Sequence, residues 1–520
     1  MLNNIFYNPN FDPTKVSQYE YNQVKDYSLV ETYYDAQARM KCMANSQAGK
    51  QFADFISKCI NVKFIEKSFQ NSNIMDIGLQ DIGKGLQNCS KLEQLSFNLR
   101  RNEIGSKQSH IEFASAIDAS KDQFKIINLD FAVNKMQDES PKLFMKSIST
   151  CSKLDKLFLG FSSNQISFQF QECFKGFENL KQLQKLQIDL SQNEKIGIGI
   201  TKITETISTL NQLQFLHLNL QKISLTPEYL KQVTNNINQI ANLIYLELNL
   251  QQNNLGNLGV EQINFSNLKH LENLKLFLGW TQINAIGLAK LLLNIKLCKS
   301  LKIVELELKW NQISENLQFE QYSLPQQIAS LDSLSLHLRG NKLNSEGLSK
   351  IINYISSAIH LRQLEINAEA NNLNKNLLDL GQTLSNLQIR NLKLNFEENE
   401  IENEDLVNFF KIFSQNEQLE SLQISLKENK INQSCYQEFG QSLSKFKQLK
   451  QLQLQFNTFD NILEYKLTQE LLKCIFKSKS INHLKYIMPF ASYHDRLRMN
   501  ILYQECKKSK YLVTYQFKTP

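Results

Sequence analysis

Glycine and proline are scarce in this chain. It holds 17 Gly and 7 Pro in 520 residues, against about 12% for the pair in average usage. That shortage excludes a fold built from many tight hairpins, as well as collagen and flexible low-complexity arrays. Tryptophan is nearly absent, with two residues, Trp280 and Trp310. No apolar run reaches the ~18 residues of a membrane-crossing helix, so no transmembrane segment is expected. The first residues, MLNNIFYNPNFDPTK, lack a basic stretch, an apolar core and a cleavage site, so secretion is not expected. The nine cysteines are an odd number, widely spaced and without a CxxC pair. That usage fits a reduced compartment without structural zinc, and a cytoplasmic location is the expectation.

What is present is a globular composition, 42% hydrophobic and 21% charged, which excludes wholesale disorder. The net charge is +7. Residues 461–520 hold eleven Lys/Arg and four Asp/Glu, so the whole excess sits in that last segment. A nucleic-acid binder concentrates its basic excess on the reading surface instead.

A unit of the form LxxLxLxLxxNxI recurs along most of the chain. Clear copies are LIYLELNLQQNNL at 243–255, LKIVELELKWNQI at 301–313, LDSLSLHLRGNKL at 331–343 and LESLQISLKENKI at 419–431. Its second apolar position falls at Leu95, Ile127, Leu157, Leu186, Leu216, Leu246, Leu274, Val304, Leu334, Leu364, Leu392, Leu422 and Leu452. These thirteen units are 28 to 32 residues apart. A degenerate fourteenth precedes them, with Val62, Ile65, Phe69 and Ile74 in frame. The LxLxL stretch alternates with period 2 and predicts a strand with one buried face. The Asn at the strand exit can bond backbone groups of its own turn and of the neighbouring unit, forming a ladder down the stack. It stands at 102, 134, 164, 193, 253, 311, 341, 371, 399 and 429, while Ile223, Thr281 and Phe459 replace it. The rest of each unit predicts a helix: in 345–361, Leu348, Ile351, Ile352, Ile355 and Ile359 share one stripe. Cys89, Cys151 and Cys298 each stand three residues before a framework leucine and are expected as small buried hydrophobes.

On these units the chain resembles the leucine-rich repeat proteins, nearest the ribonuclease inhibitor-like subclass. The background, rich in Gln, Asn, Lys and Ile, resembles the large leucine-rich repeat families of ciliated protists. The resemblance implies an α/β solenoid, a horseshoe with a parallel concave sheet, convex helices and about 13–14 repeats. Two additional alternating residues before the Asn predict longer strands than in the usual member. No unit buries its apolar face alone, so the stack needs caps. The expected organisation is an N-terminal cap over 1–58, the solenoid over 59–460 and a basic, mainly helical cap over 461–520. Some members of those protist families carry a kinase domain, but this chain has no kinase glycine loop, VAIK-like lysine or DFG.

No catalytic constellation emerges from the sequence. Gly78-Leu-Gln-Asp-Ile-Gly83-Lys84-Gly85 approaches a phosphate-binding loop, but Gly85 stands where Ser or Thr should hold magnesium. The stretch also falls in the helical half of the degenerate unit, and a repeat helix is expected there. Gly197 and Gly199 form a lone GxG, and His494-Asp495-Arg496 scrambles a kinase motif whose other parts are missing. His217 and His337 lie on strands four repeats apart, which supports neither a metal pair nor a catalytic pair. No enzyme activity, metal or cofactor is expected.

The candidate site is therefore a surface. The residues between the framework leucines are mostly uncharged and polar, with acids and bases mixed. That lining suits a protein or peptide partner rather than nucleic acid, which wants a basic groove with stacking aromatics. A small-molecule ligand is not expected. Trp280 and Trp310 occupy the same repeat position, two after the last strand leucine, and should be neighbours at the strand-exit rim. Gly279 and Gly340 flank them, and Phe277 shares a strand with Trp280. Clustered exposed Trp is the chemistry of a binding hot spot; packing of both rings onto the turn as local core is the alternative. The candidate partner-binding residues are Trp280, Trp310, Phe277, Lys309, His337 and Arg339. The basic tail reads as a solvated cap or as a dock for an acidic surface. The function expected is a non-enzymatic interaction scaffold binding a protein on its concave face, alone or as a subunit of a larger assembly. Regulation of a small GTPase, by analogy with one ribonuclease inhibitor-like family, and a cytoskeletal or ciliary subunit are the alternatives.

Overall fold

A computed structural model describes residues 47–314, 331–356, 361–374, 377–456, 462–487 and 514–518. Sixteen strands form one open parallel sheet in chain order, from Phe64–Ser68 at one edge to Thr514–Lys518 at the other. Parallel neighbours need a crossover on the far side of the sheet, and the second half of each unit supplies it. The register is that of the repeat. Ile65 lies beside Leu95, Leu95 beside Ile127 and Ile127 beside Leu157, and the row continues through Leu422 to Leu452. A slip of one residue would turn every framework leucine out to solvent, so the alternation and the register enforce each other. The degenerate first unit is a strand in the same frame.

Each strand is five residues long, as at Gln94–Asn98 and Tyr245–Asn249. The extra alternation continues the ladder past the strand instead of lengthening it. Leu99 N–H donates to the Asp130 carbonyl at 2.7 Å and Arg101 N–H to the Ala132 carbonyl at 3.1 Å. The regular strand ends because the backbone turns left-handed at Arg101, with φ 58°.

The turn that follows is held by the expected asparagine ladder. Asn102 is fully buried. Its Nδ2 lies 2.7 Å from the Phe69 carbonyl and 2.9 Å from the Leu99 carbonyl, while its Oδ1 accepts from the N–H groups of Ser72 (3.1 Å) and Ile74 (3.0 Å). Asn253 repeats the arrangement with Leu220 and Leu250 as acceptors and Ile223 and Leu225 as donors. One side chain thus satisfies the orphan backbone groups of two turns, which buried backbone demands. Thr281 replaces part of the ladder by donating to the Leu278 carbonyl at 2.6 Å. Ile223 is fully buried and has no side-chain polar atom to contribute.

Helices such as Pro227–Ile237, Ser345–Ser356 and Asn403–Phe413 fill the crossovers and pack each against the next. The phosphate-loop look-alike is one of them. Gly78, Gly83 and Gly85 are buried inside the helix Met75–Leu86. A Cβ on Gly83 would stand 2.5 Å from the Glu112 backbone, and one on Gly85 would stand 2.7 Å from the Ala53 carbonyl oxygen. These glycines let neighbouring helices approach, and no free helix N-terminus is offered to a phosphate.

The core between sheet and helices changes composition along the stack. Near its start it is aromatic: Phe131 stacks on Phe144 and Phe161, with centroids 5.3 and 6.3 Å away. From Leu186 to Leu373 it is almost wholly Leu, Ile and Val. All seven cysteines among the described residues are buried and outside any disulfide. Burial pushes the Cys89 and Cys151 thiols up to about 12, as expected of inert core thiols.

The expected N-terminal cap lies mostly outside the described residues, apart from the helix Gln47–Ile56, whose Phe52 is fully buried. The helical reading of 461–520 fits Ile462–Ile475. It does not fit His483–Ile487 and Thr514–Lys518, which add two strands to the same sheet. Leu484 lies beside Leu452, and Tyr515 beside Leu484. The pattern is still present there, as I481xxL484xY486, but aromatics replace leucine and no Asn follows. The basic run Lys507, Lys508 and Lys510 lies outside the described residues.

Candidate functional site: the strand-exit rim

Among the described residues the units from Gln94–Asn98 to Ser421–Ser425 reach the rim through the same turn. The residue just before the ladder position is left-handed at Arg101, Val133, Ser163, Gln192, Lys222, Gln252, Trp280, Trp310, Gly340, Ala370, Glu398 and Glu428. In that conformation the side chain is thrown outward, clear of the sheet core. The two tryptophans stand here, with φ 58° and 53°. A left-handed bulky residue costs about 1–2 kcal/mol that glycine would avoid.

Both indoles are therefore outside the core, Trp280 52% and Trp310 39% exposed. They stack on each other with centroids 5.4 Å apart and planes 24° apart. The staircase ends on Gly340, where a Cβ would stand 2.3 Å from Cε3 of Trp310. Glycine at this position makes room for the ring. Arg339 sits over the same indole at 5.8 Å and pairs through Nη1 with Glu369 Oε1 at 3.0 Å. The Lys309 stem lies across Gly279, where a Cβ would meet its Cγ at 2.9 Å. Its ammonium is 4.0 Å from Glu307 Oε2.

The sequence-predicted residues divide into two groups. Trp280, Trp310, Lys309 and Arg339 are brought together at the rim. Phe277 and His337 lie further back on the strands, on either side of Glu307, and are partly exposed. Neither makes a ring contact with the indoles among the described residues. Lys342 was missed by sequence reasoning. It is exposed, two residues past the glycine that carries Trp310, and shares in no ion pair among the described residues. Its repeat phase was the available signal.

The chain folds as a leucine-rich repeat solenoid. The family described as Leucine Rich repeat matches residues 334–351, which span the strand Ser333–His337, its turn and the start of the next helix. No curated protein matches the chain.

Across the leucine-rich repeat sheet, the face opposite the leucines is polar and largely self-compensated. From Glu305 to Glu397 each of its carboxylates lies within 4.0 Å of a Lys or Arg. Lys275 pairs with Glu305 at 2.7 Å, Lys393 with Glu365 at 3.1 Å and Lys427 with Glu397 at 3.7 Å. His217 Nε2 lies 3.7 Å from Glu247 Oε1, but burial lowers the pKa of the ring and favours its neutral form. Burial keeps the Glu369 carboxyl above the usual carboxylate range although Arg339 pulls it down. Among the described residues no cluster of three or more His, Cys, Asp and Glu side chains could hold a metal ion. No helix among them is long and apolar enough to cross a membrane.

Proposed function

We propose that this chain is a protein-interaction scaffold that holds its partner across the polar sheet face and anchors it on the Trp280–Trp310 rim. The repeat solenoid supports the scaffold reading, because its extended, stacked surface is the kind such proteins use to bind other proteins. We read the repeats as the ribonuclease inhibitor-like form, supported by full helices in many crossovers, such as Ser345–Ser356. The observation that carries the site is the exposed stacked pair. Two large apolar rings stand in a conformation that favours glycine, beside a polar sheet face, and their exposure has no use in packing.

The test is a tagged pull-down from native extract, run with wild type and with Trp280→Ala/Trp310→Ala. The expected outcome is one partner recovered by wild type and lost with the double variant, while circular dichroism and melting temperature stay unchanged. Partners retained by a folded double variant would remove the rim from the binding site and leave the sheet face.

A further inference from the structure

The chemistry around the indoles narrows the partner. Within the three units that carry the rim, Arg339 sits over the Trp310 ring, the Lys309 stem lies across Gly279, and Lys342 stands exposed two residues past Gly340, the glycine under that ring. Glu307 is the carboxylate nearest Lys309. Arg339 is already engaged by Glu369 at 3.0 Å. Lys309 has its nearest carboxylate at 4.0 Å, the loosest pair on this face, and Lys342 has none among the described residues. The turns that carry the rings thus hold two cations without a close partner, Lys309 and Lys342. On the strands around the rim the face pairs its other cations across adjacent strands, as Lys275 does with Glu305 at 2.7 Å and Lys393 with Glu365 at 3.1 Å. An apolar platform edged by under-neutralised lysines is complementary to carboxylates flanking an apolar side chain.

We propose that the Trp280–Trp310 rim binds an extended acidic segment of a partner protein, seating one bulky apolar side chain on the indoles and directing carboxylates to Lys309 and Lys342. This rests on the rim being the docking site. The rim from Trp280 to Lys342 crosses three strands, about 10 Å between the outer two, which about three extended residues span. A short linear segment suffices, with a Phe or Leu on Trp280, whose ring is the more exposed of the two. Single-stranded nucleic acid fits less well. A phosphate backbone needs a continuing basic track, and beyond Arg339 the same turn positions become Glu369 and Glu397.

The chain reports on this site directly, because its only two tryptophans form it. The probes are synthetic peptides of about ten residues without Trp or Tyr, added to the full chain under tryptophan-selective excitation. One carries Phe between Asp and Glu residues, one carries Phe between Lys residues, and one is acidic without Phe. A saturable emission change is expected with the first alone. It should weaken about fivefold or more in Lys309→Glu/Lys342→Glu and weaken further with added salt. Lys342→Glu alone, at an exposed side chain, should weaken binding while leaving the free chain's emission and melting unchanged.

Equal or tighter binding of the Lys–Phe peptide would overturn the acidic assignment and leave the rim as a dock. No response to any peptide would overturn both readings. A response to a single-stranded oligonucleotide with none to the acidic Phe peptide would replace the protein partner by nucleic acid.

Discussion

Trp310 and Asn311 are adjacent residues of one turn, and the solenoid uses them in opposite ways. Asn311 points inward, 7% exposed, with its Nδ2 at 2.8 Å from the Leu278 carbonyl and its Oδ1 accepting from Ile283 N–H at 3.0 Å. Trp310 points outward, 39% exposed, touching Trp280, Arg339 and the glycine beneath it. One position is set by the repeat and recurs in unit after unit. The other is free to vary and runs from Arg to Val, Ser, Gln, Trp, Gly and Glu. The turn needs the first side chain to close its backbone hydrogen bonds. It tolerates any side chain at the second, so whatever stands there is available for binding.

Inward-facing changes should cost most. Asn253→Ala strands the N–H groups of Ile223 and Leu225 and the carbonyls of Leu220 and Leu250, all buried. The expected loss is about 3–5 kcal/mol in urea unfolding, since each orphaned buried group costs about 1–3 kcal/mol. A loss under about 1 kcal/mol would break the distinction between the two positions.

The same contrast separates two histidines and adds a pH dependence. His337 lies partly exposed on the polar face. His110 is fully buried between Phe131 and Phe144, at 5.8 and 5.4 Å, and neither ring nitrogen has a hydrogen-bond partner. Burial holds His110 down to about 4, against a small opposing pull from Asp76. The unfolded chain therefore takes up a proton near pH 6.5 that the folded chain refuses until about pH 4. Stability present above pH 6.5 is lost as the pH falls through that window. Between pH 7.5 and 5 the expected loss from this group is about 2 kcal/mol. His110→Leu should remove that part of the acid sensitivity, and an unchanged pH slope would show that the ring is hydrated.

Gly340→Ala probes the boundary between scaffold and site. The new Cβ meets the Trp310 ring at 2.3 Å, and the backbone there is left-handed at φ 65°. The ring must lift, changing tryptophan emission, at an expected cost of about 1–2 kcal/mol. The smallest effect on folding should come from Trp280→Gly/Trp310→Gly. Relief of the left-handed strain offsets the lost stacking, so stability should stay within about 1 kcal/mol of wild type while partner binding is lost. A large drop in melting temperature would assign the rings to the fold instead.

The strands, their register and the Asn ladder were legible in the sequence because a spacing of 28–32 residues repeats one local chemistry thirteen times. The helix over Gly78–Gly85 was legible for the same reason, although its glycines imitate another motif. The last two strands were not, because Tyr486, Tyr515 and Phe517 stand at framework positions and the Asn is missing. Their place depends on the open edge left by Gln451–Gln455, which any alternating segment can extend.

The two tryptophans mark the remaining division. Their repeat phase, read from the sequence alone, placed them side by side on the rim. Whether their rings turned into the core or out of it was a matter of one backbone angle. The left-handed turn, imposed by the ladder bonds of Asn311 and Asn341 to the strands on either side, points the side chain away from the core before any packing choice arises. Periodicity determined the neighbours, and the closure of backbone hydrogen bonds between units determined the direction they face.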